Sequence, residues 1–137
     1  MRPQIAYRDG YKYQLRANYS IPTDILVKSD IDIDYVSLTK SGLLTVKYGY
    51  AWDGPSDPAI DTPNFMRGSL GHDALYQLMR DGYLDPSNRE KADKLLYQCV
   101  REDGMTWVRA QWVYWAVRWF GGPAADPVHK HRDIIAP

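Results

Sequence analysis

The sequence predicts an α+β fold, a β-rich N-terminal half of antiparallel hairpins packed on a three-helix C-terminal half. Up to about residue 50, apolar and polar residues alternate with period two; from about residue 60 the apolar residues recur at helical spacing. Glycine and proline fall where turns and helix ends belong. At 137 residues the chain suits one domain with a core of its own. Its parts are a β-rich stretch at 1–50, a loop at 51–66, a helical stretch at 67–122 and a tail at 123–137.

Ile5 and Tyr7 lead into Arg8-Asp9-Gly10, a turn signal, after which Tyr11, Tyr13 and Leu15 alternate with polar residues. Pro22 argues for an edge strand or a break. Asp30, Asp32 and Asp34 interleave with Ile31 and Ile33, which places the three carboxylates on a solvated strand face. Residues 35–39 and 43–48 flank Lys40-Ser41-Gly42 as a hairpin with glycine at the turn. The stretch from Tyr50 to Met66 is rich in Pro and Asp, and Thr62-Pro63 within it suits a helix entry. The first helix runs to about Arg80, with Leu75, Leu78 and Met79 as its core stripe. Ser87-Asn88-Arg89-Glu90 fits a capping box for the second helix, whose stripe is Ala92, Leu95, Leu96 and Cys99 and whose stop is Gly104. The third helix begins near Thr106 and ends at Gly121-Gly122. It is so apolar, with Trp107, Trp112, Trp115 and Trp119, that a place between the sheet and the other helices is expected rather than a membrane interface.

A formal net charge of zero gives no sign of a nucleic-acid binder. No window is long and apolar enough to span a bilayer, and the start lacks the apolar run of a secretory signal. Cys99 is the only cysteine, so no intrachain disulfide is expected. His129 and His131 in the tail have a spacing that can chelate a metal, but a lone pair in a tail is expected to be solvated.

The chemistry concentrates at Gly68-Ser69-Leu70-Gly71-His72-Asp73-Ala74-Leu75-Tyr76. On a helix, His72, Asp73 and Tyr76 crowd one side, and all three need partners if buried. An antiparallel second helix would bring Asp93 opposite His72 or Tyr76. A histidine base needs such a carboxylate to fix its tautomer, and Tyr76 could hold that carboxylate in place. Asp73 can offer a carboxylate to a hard cation such as calcium. The turn Trp52-Asp53-Gly54 can add backbone carbonyls and the Asp53 carboxylate. Water beside His72 would then attack an ester polarised by the metal.

His72-Asp73-Ala74-Leu75-Tyr76 resembles the His-Asp-x-x-Tyr active-site helix of the phospholipase A2 enzymes. Ala92-Asp93-Lys94 resembles their second helix, and residues 48–55 more loosely their calcium loop. That resemblance implies His72 as base, Asp73 as calcium ligand, and Tyr76 and Asp93 as support, with phospholipid as substrate. Over nearly its whole length the chain also resembles the phage and prophage proteins grouped as domain of unknown function 1353. They pair a Gly-aromatic-x-x-Asp-Gly-x-Ser turn with His-Asp-x-Leu-Tyr and Arg-x-x-Ala-Asp. This resemblance implies a phage setting, in the host cytoplasm or the virion, and no particular activity.

Two readings stand at this point. In one, His72, Asp93, Tyr76 and the metal ligands form a calcium-dependent lipid esterase. In the other, the same side chains, with Arg89, form a buried network in a non-catalytic phage virion or accessory protein. An HD-type phosphohydrolase is disfavoured because no histidine precedes His72, and a serine triad on Ser69 lacks its elbow sequence.

Overall fold

A computed structural model describes residues 7–8, 13–52 and 63–125. In chain order the elements are strands β1 (Tyr7–Arg8), β2 (Tyr13–Leu15), β3 (Tyr19–Pro22), β4 (Ile31–Asp32), β5 (Val36–Leu38), β6 (Leu43–Val46) and β7 (Ala51–Trp52). Helices α1 (Pro63–Arg80), α2 (Arg89–Glu102), α3 (Trp107–Phe120) and α4 (Gly122–Ala125) follow. The fold is α+β.

Among the described residues the strands form two antiparallel sheets, ordered β1-β2-β7 and β3-β6-β5-β4. The backbone of Leu15 in β2 holds the segment between β6 and β7, donating to Tyr50 and accepting from Gly49, both at 2.8 Å. The β5–β6 hairpin pairs Val36 with Val46 and Leu38 with Leu44, so the buried side chains of both strands face one way. Gly42 closes it at φ +96°. A Cβ there would sit 2.5 Å from the carbonyl oxygen of Thr23, so the position excludes any side chain. Pro22 ends β3, which is an edge strand and can spare the donor. Asp30, Asp32 and Asp34 are exposed, as the alternation predicts; Asp30 accepts from the Lys40 backbone at 2.8 Å.

α1 is the middle layer. A Cβ on Gly71 would meet Ile21 and Leu44 of the sheet and Leu95 of α2, so α1 lies between them. Leu70, Leu75, Leu78 and Met79 are fully enclosed. The helical half reaches back to Pro63 and β7 takes the first two residues of the expected 51–66 loop. Proline at the first helical position needs no backbone donor, which accounts for the earlier start; Thr62 lies outside the described residues, as do Asp9 and Gly10 of the first turn.

Two expectations need correction. Ser87 does not cap α2: its backbone N–H is received by Asp85 at 2.9 Å in a short 3-10 turn, and Asn88 precedes α2 without a side-chain cap bond. The 3-10 turn Pro86–Asn88 carries Asp85 as its cap, and α2 begins only after it, at Arg89, so Ser87 does not stand at the start of α2. Nor does α3 lie inside. It touches the other helices through Ala110 and Val113, while Trp107, Val108, Trp112, Trp115, Trp119 and Phe120 are exposed. α1 already holds the inner position, so only the narrow small-residue side of α3 is covered.

Candidate functional site

The antiparallel register of α1 and α2 sets the site. Their approach is close because Gly68 has no side chain: a Cβ there would lie 2.8 Å from Leu96 and 3.1 Å from Val100. From that contact the helices run in opposite directions. Arg67 meets Asp103, His72 meets Asp93, and Tyr76 meets Arg89 and Asp93.

Asp93 is 0 % exposed and sits in the first turns of α2. A carboxylate in that position must be met by donors, and it is. His72 Nε2 lies 2.7 Å from Oδ1, and the Tyr76 hydroxyl donates to the same oxygen at 2.6 Å. Arg118 Nη1 donates to Oδ2 at 2.8 Å from α3. Burial pushes Asp93 up, but the bonds from His72, Tyr76 and Arg118 outweigh it and hold the carboxyl below its ordinary value. Tyr76 is pushed well up by burial and by Asp93, so it stays a protonated donor. An ionised Asp93 has no proton to give. In the neutral imidazole the ring proton therefore sits on Nε2, and Nδ1 carries the lone pair. Nothing among the described residues hydrogen-bonds Nδ1. The ring is 8 % exposed and stacks on Tyr76 with centroids 4.1 Å apart.

The model of a family described as a protein of unknown function (DUF1353) matches residues 27–117, about two thirds of the chain. The chain belongs to this family. No curated protein and no solved structure matches it. The DUF1353 match takes in His72, Tyr76, Arg89 and Asp93 and ends one residue before Arg118.

Of the site residues expected from this DUF1353 sequence, His72, Tyr76 and Asp93 come together. Asp73 lies close enough to Tyr50 for its charge to act on the phenol. Burial raises that phenol's pKa most, and the Asp73 charge raises it further. Trp52 reaches α1 one helical turn before Asp73, its Nε1 donating to Ser69 Oγ at 3.3 Å. Asp53 and Gly54 lie outside the described residues, as do His129 and His131. Asp73 is a hard oxygen donor of the kind calcium takes, but calcium needs six or more oxygens. Among the described residues no three His, Cys, Asp or Glu side chains gather to hold a metal. The described donor set alone therefore falls short of a calcium site.

The sequence reading missed Arg118 and gave Arg89 only a structural part. Arg89 Nε donates to Tyr76 Oη at 3.0 Å, and its Nη2 donates to the carbonyls of Val117, at 2.8 Å, and Arg118. The available signal was a charged residue, Arg118, in a helix otherwise almost wholly apolar. Such a charge needs a buried partner or open water.

Proposed function

We propose that this chain is an ester hydrolase of phospholipase A2 type, acting in a phage or prophage setting in the host cytoplasm or the virion, with His72 as general base. One observation carries the reading. A buried carboxylate, Asp93, holds Nε2 of an imidazole at 2.7 Å, and the other nitrogen has no partner among the described residues. That is the arrangement water activation requires.

In the proposed step, water gives a proton to His72 Nδ1 as its oxygen attacks the ester carbonyl carbon. The imidazolium that forms is stabilised by Asp93 through Nε2. When the carbon–oxygen bond to the alcohol breaks, the proton passes from Nδ1 to the leaving oxygen and the ring is neutral again. Tyr76 and Arg118 keep Asp93 ionised and oriented throughout. Calcium is the proposed metal, with Asp73, Asp53 and the carbonyls of Trp52 and Gly54 as its ligands. When bound it would polarise the carbonyl. The proposed substrate is a phospholipid.

A second reading is favoured by Arg118 and Arg89, which tie Asp93, Tyr76 and the end of α3 into one network. In it the cluster only joins three helices of a virion or accessory protein that partners phage structural proteins. Hydrolysis of phospholipid micelles, with and without a calcium chelator, separates the two. Chelator-sensitive turnover that His72→Gln removes from a still-folded protein is expected. Absence of turnover with every variant merely less stable would leave the structural network standing.

A further inference from the structure

Nothing among the described residues covers the outer face of α3. Val108, Trp112, Trp115 and Trp119 recur at three- and four-residue steps and so line one side of the helix, while Ala110 and Val113 are buried on the other. Trp107 and Phe120 extend the strip at its two ends. The rings of Trp115 and Trp119 already stand 6.2 Å apart, centroid to centroid. The charged residues of α3 are engaged elsewhere: Arg118 is paired with Asp93, and Arg109 is half-buried and has a partner. The strip is thus apolar, with no free charge to choose or repel an occupant. A patch of this size marks a contact surface rather than ordinary exposure.

Symmetry selects the occupant. The midpoint of α3 falls between Val113 and Tyr114. Trp112 and Trp115 stand equally far on either side of it, as do Val108 and Trp119, and Trp107 and Phe120. A second α3 laid antiparallel across a two-fold axis at that midpoint therefore sets every one of these six side chains opposite another of the six. A self-complementary patch of this kind is what an isologous interface requires, and a lipid surface or an unrelated groove imposes no such pattern. Area agrees. The five aromatic side chains are 47–79 % exposed, and at roughly 200 Å² each they offer about 600 Å² per copy. Two copies would bury about 1,200 Å², more than the roughly 1,000 Å² that a specific interface needs.

We infer that the outer face of α3 binds a second copy of this chain, forming a two-fold dimer in which the two α3 helices pack antiparallel. The inference stands apart from the hydrolase reading, and neither turnover nor its absence bears on it. Sedimentation equilibrium of the full chain should show a dimer that dissociates on dilution, with tryptophan emission moving to the red as the rings meet water. Trp112→Gln with Trp119→Gln removes four rings from the dimer and should raise its dissociation constant by roughly a hundredfold or more. Helical circular dichroism should be retained, since Trp112 is 61 % and Trp119 72 % exposed in the single chain. A second measurement fixes the direction of packing. Protein carrying Val108→Cys, mixed with protein carrying Trp119→Cys and treated with a short bis-maleimide, should link across the two positions; Cys99 is buried. Val108→Cys alone should link poorly with itself, because antiparallel packing holds its two copies roughly 16 Å apart along the helix axis. A wild-type chain that stays monomeric up to about 100 μM would overturn the inference. So would a dimer that the double variant keeps at full strength, or self-linking of Val108→Cys as fast as the crossed pair. A monomer whose tryptophan emission shifts to the blue on phosphatidylcholine vesicles would overturn it too, and give the face to lipid.

Discussion

Two ionic clusters, each built around a buried charge, join α1 to α2, and they differ in kind. Near the start of α1, Arg67 donates through Nε to Asp103 at 3.0 Å and through Nη2 to Glu102 at 2.6 Å. Burial pulls Arg67 down, but those bonds outweigh it and leave the guanidinium more firmly charged than usual. Its members are a guanidinium and two carboxylates, with no imidazole among them. Two to three turns along α1, the carboxylate is at the centre instead, and one of its donors is an imidazole with a nitrogen to spare. Burial and ion pairing are common to both clusters. Only the second contains an atom that can change its protonation while its neighbours stay fixed.

The largest effect that tests this contrast is on turnover. His72→Gln should lower hydrolysis of phospholipid micelles by roughly 10²–10⁴-fold, the usual worth of a positioned base. Arg67→Met should leave turnover of the folded fraction within about twofold, because the lost group holds helices and handles no proton. Steady-state assays beside circular dichroism give both numbers. Comparable activity losses in the two variants would erase the distinction.

Stability should rank the clusters the same way. Asp93→Ala strands His72, Tyr76 and Arg118 without their shared acceptor, and breaking such a buried pair costs roughly 3–5 kcal/mol. Arg67→Ala leaves Asp103 and Glu102, and Glu102 already reaches solvent, so the cost should be nearer 1–3 kcal/mol. Urea denaturation of the two variants decides it; an equal or larger loss at Arg67 would contradict the ranking.

Much of this was legible in the sequence, for identifiable reasons. The hairpin at Gly42, the end of α1 at Arg80 and the start of α3 beside Thr106 rest on local backbone chemistry, which neighbours in sequence dictate. The meeting of His72, Tyr76 and Asp93 also follows from local rules, since helical spacing and a short connection fix an antiparallel register. The layer order was not legible. An apolar α3 and an apolar α1 compete for the one position between sheet and helices, and glycines 68 and 71 decide in favour of α1 by their size. Arg118 was hidden for the same reason: its bond to Asp93 depends on where α3 packs. The proposed calcium ligands include Asp53 and Gly54, outside the described residues, and Asp73, a single carboxylate that does not define a metal site by itself.

Acid should loosen the Asp93 cluster in a definite direction. Asp93 has a folded value below its unfolded 3.8, so its stabilisation is complete above that value and is lost as pH falls through the lowered one. Tyr76 runs the other way: its raised value lets it contribute until pH climbs beyond the ordinary phenol range. The difference in stability between wild type and Asp93→Asn, followed by thermal melts, should therefore persist down to about pH 4 and shrink below it. A difference that vanishes already near pH 6 would mean that the carboxylate is not held ionised.

The smallest effect sharpens the comparison most finely. Tyr76→Phe removes one hydroxyl that donates to Asp93 at 2.6 Å and accepts from Arg89 at 3.0 Å. Asp93 keeps His72 on the same oxygen and Arg118 on the other, so the carboxylate remains paired. Arg89 keeps the carbonyls of Val117 and Arg118. The ring contact with His72 at 4.1 Å needs no hydroxyl. What is lost is two hydrogen bonds to charged groups that both keep other partners, so the net cost should be roughly 1.5–3 kcal/mol. The imidazole keeps both its anionic partner and its open nitrogen, so turnover should fall less than tenfold while the melting temperature drops. A loss in turnover as large as that of His72→Gln would make Tyr76 part of the proton-handling group and move the boundary of the site outward to Arg89.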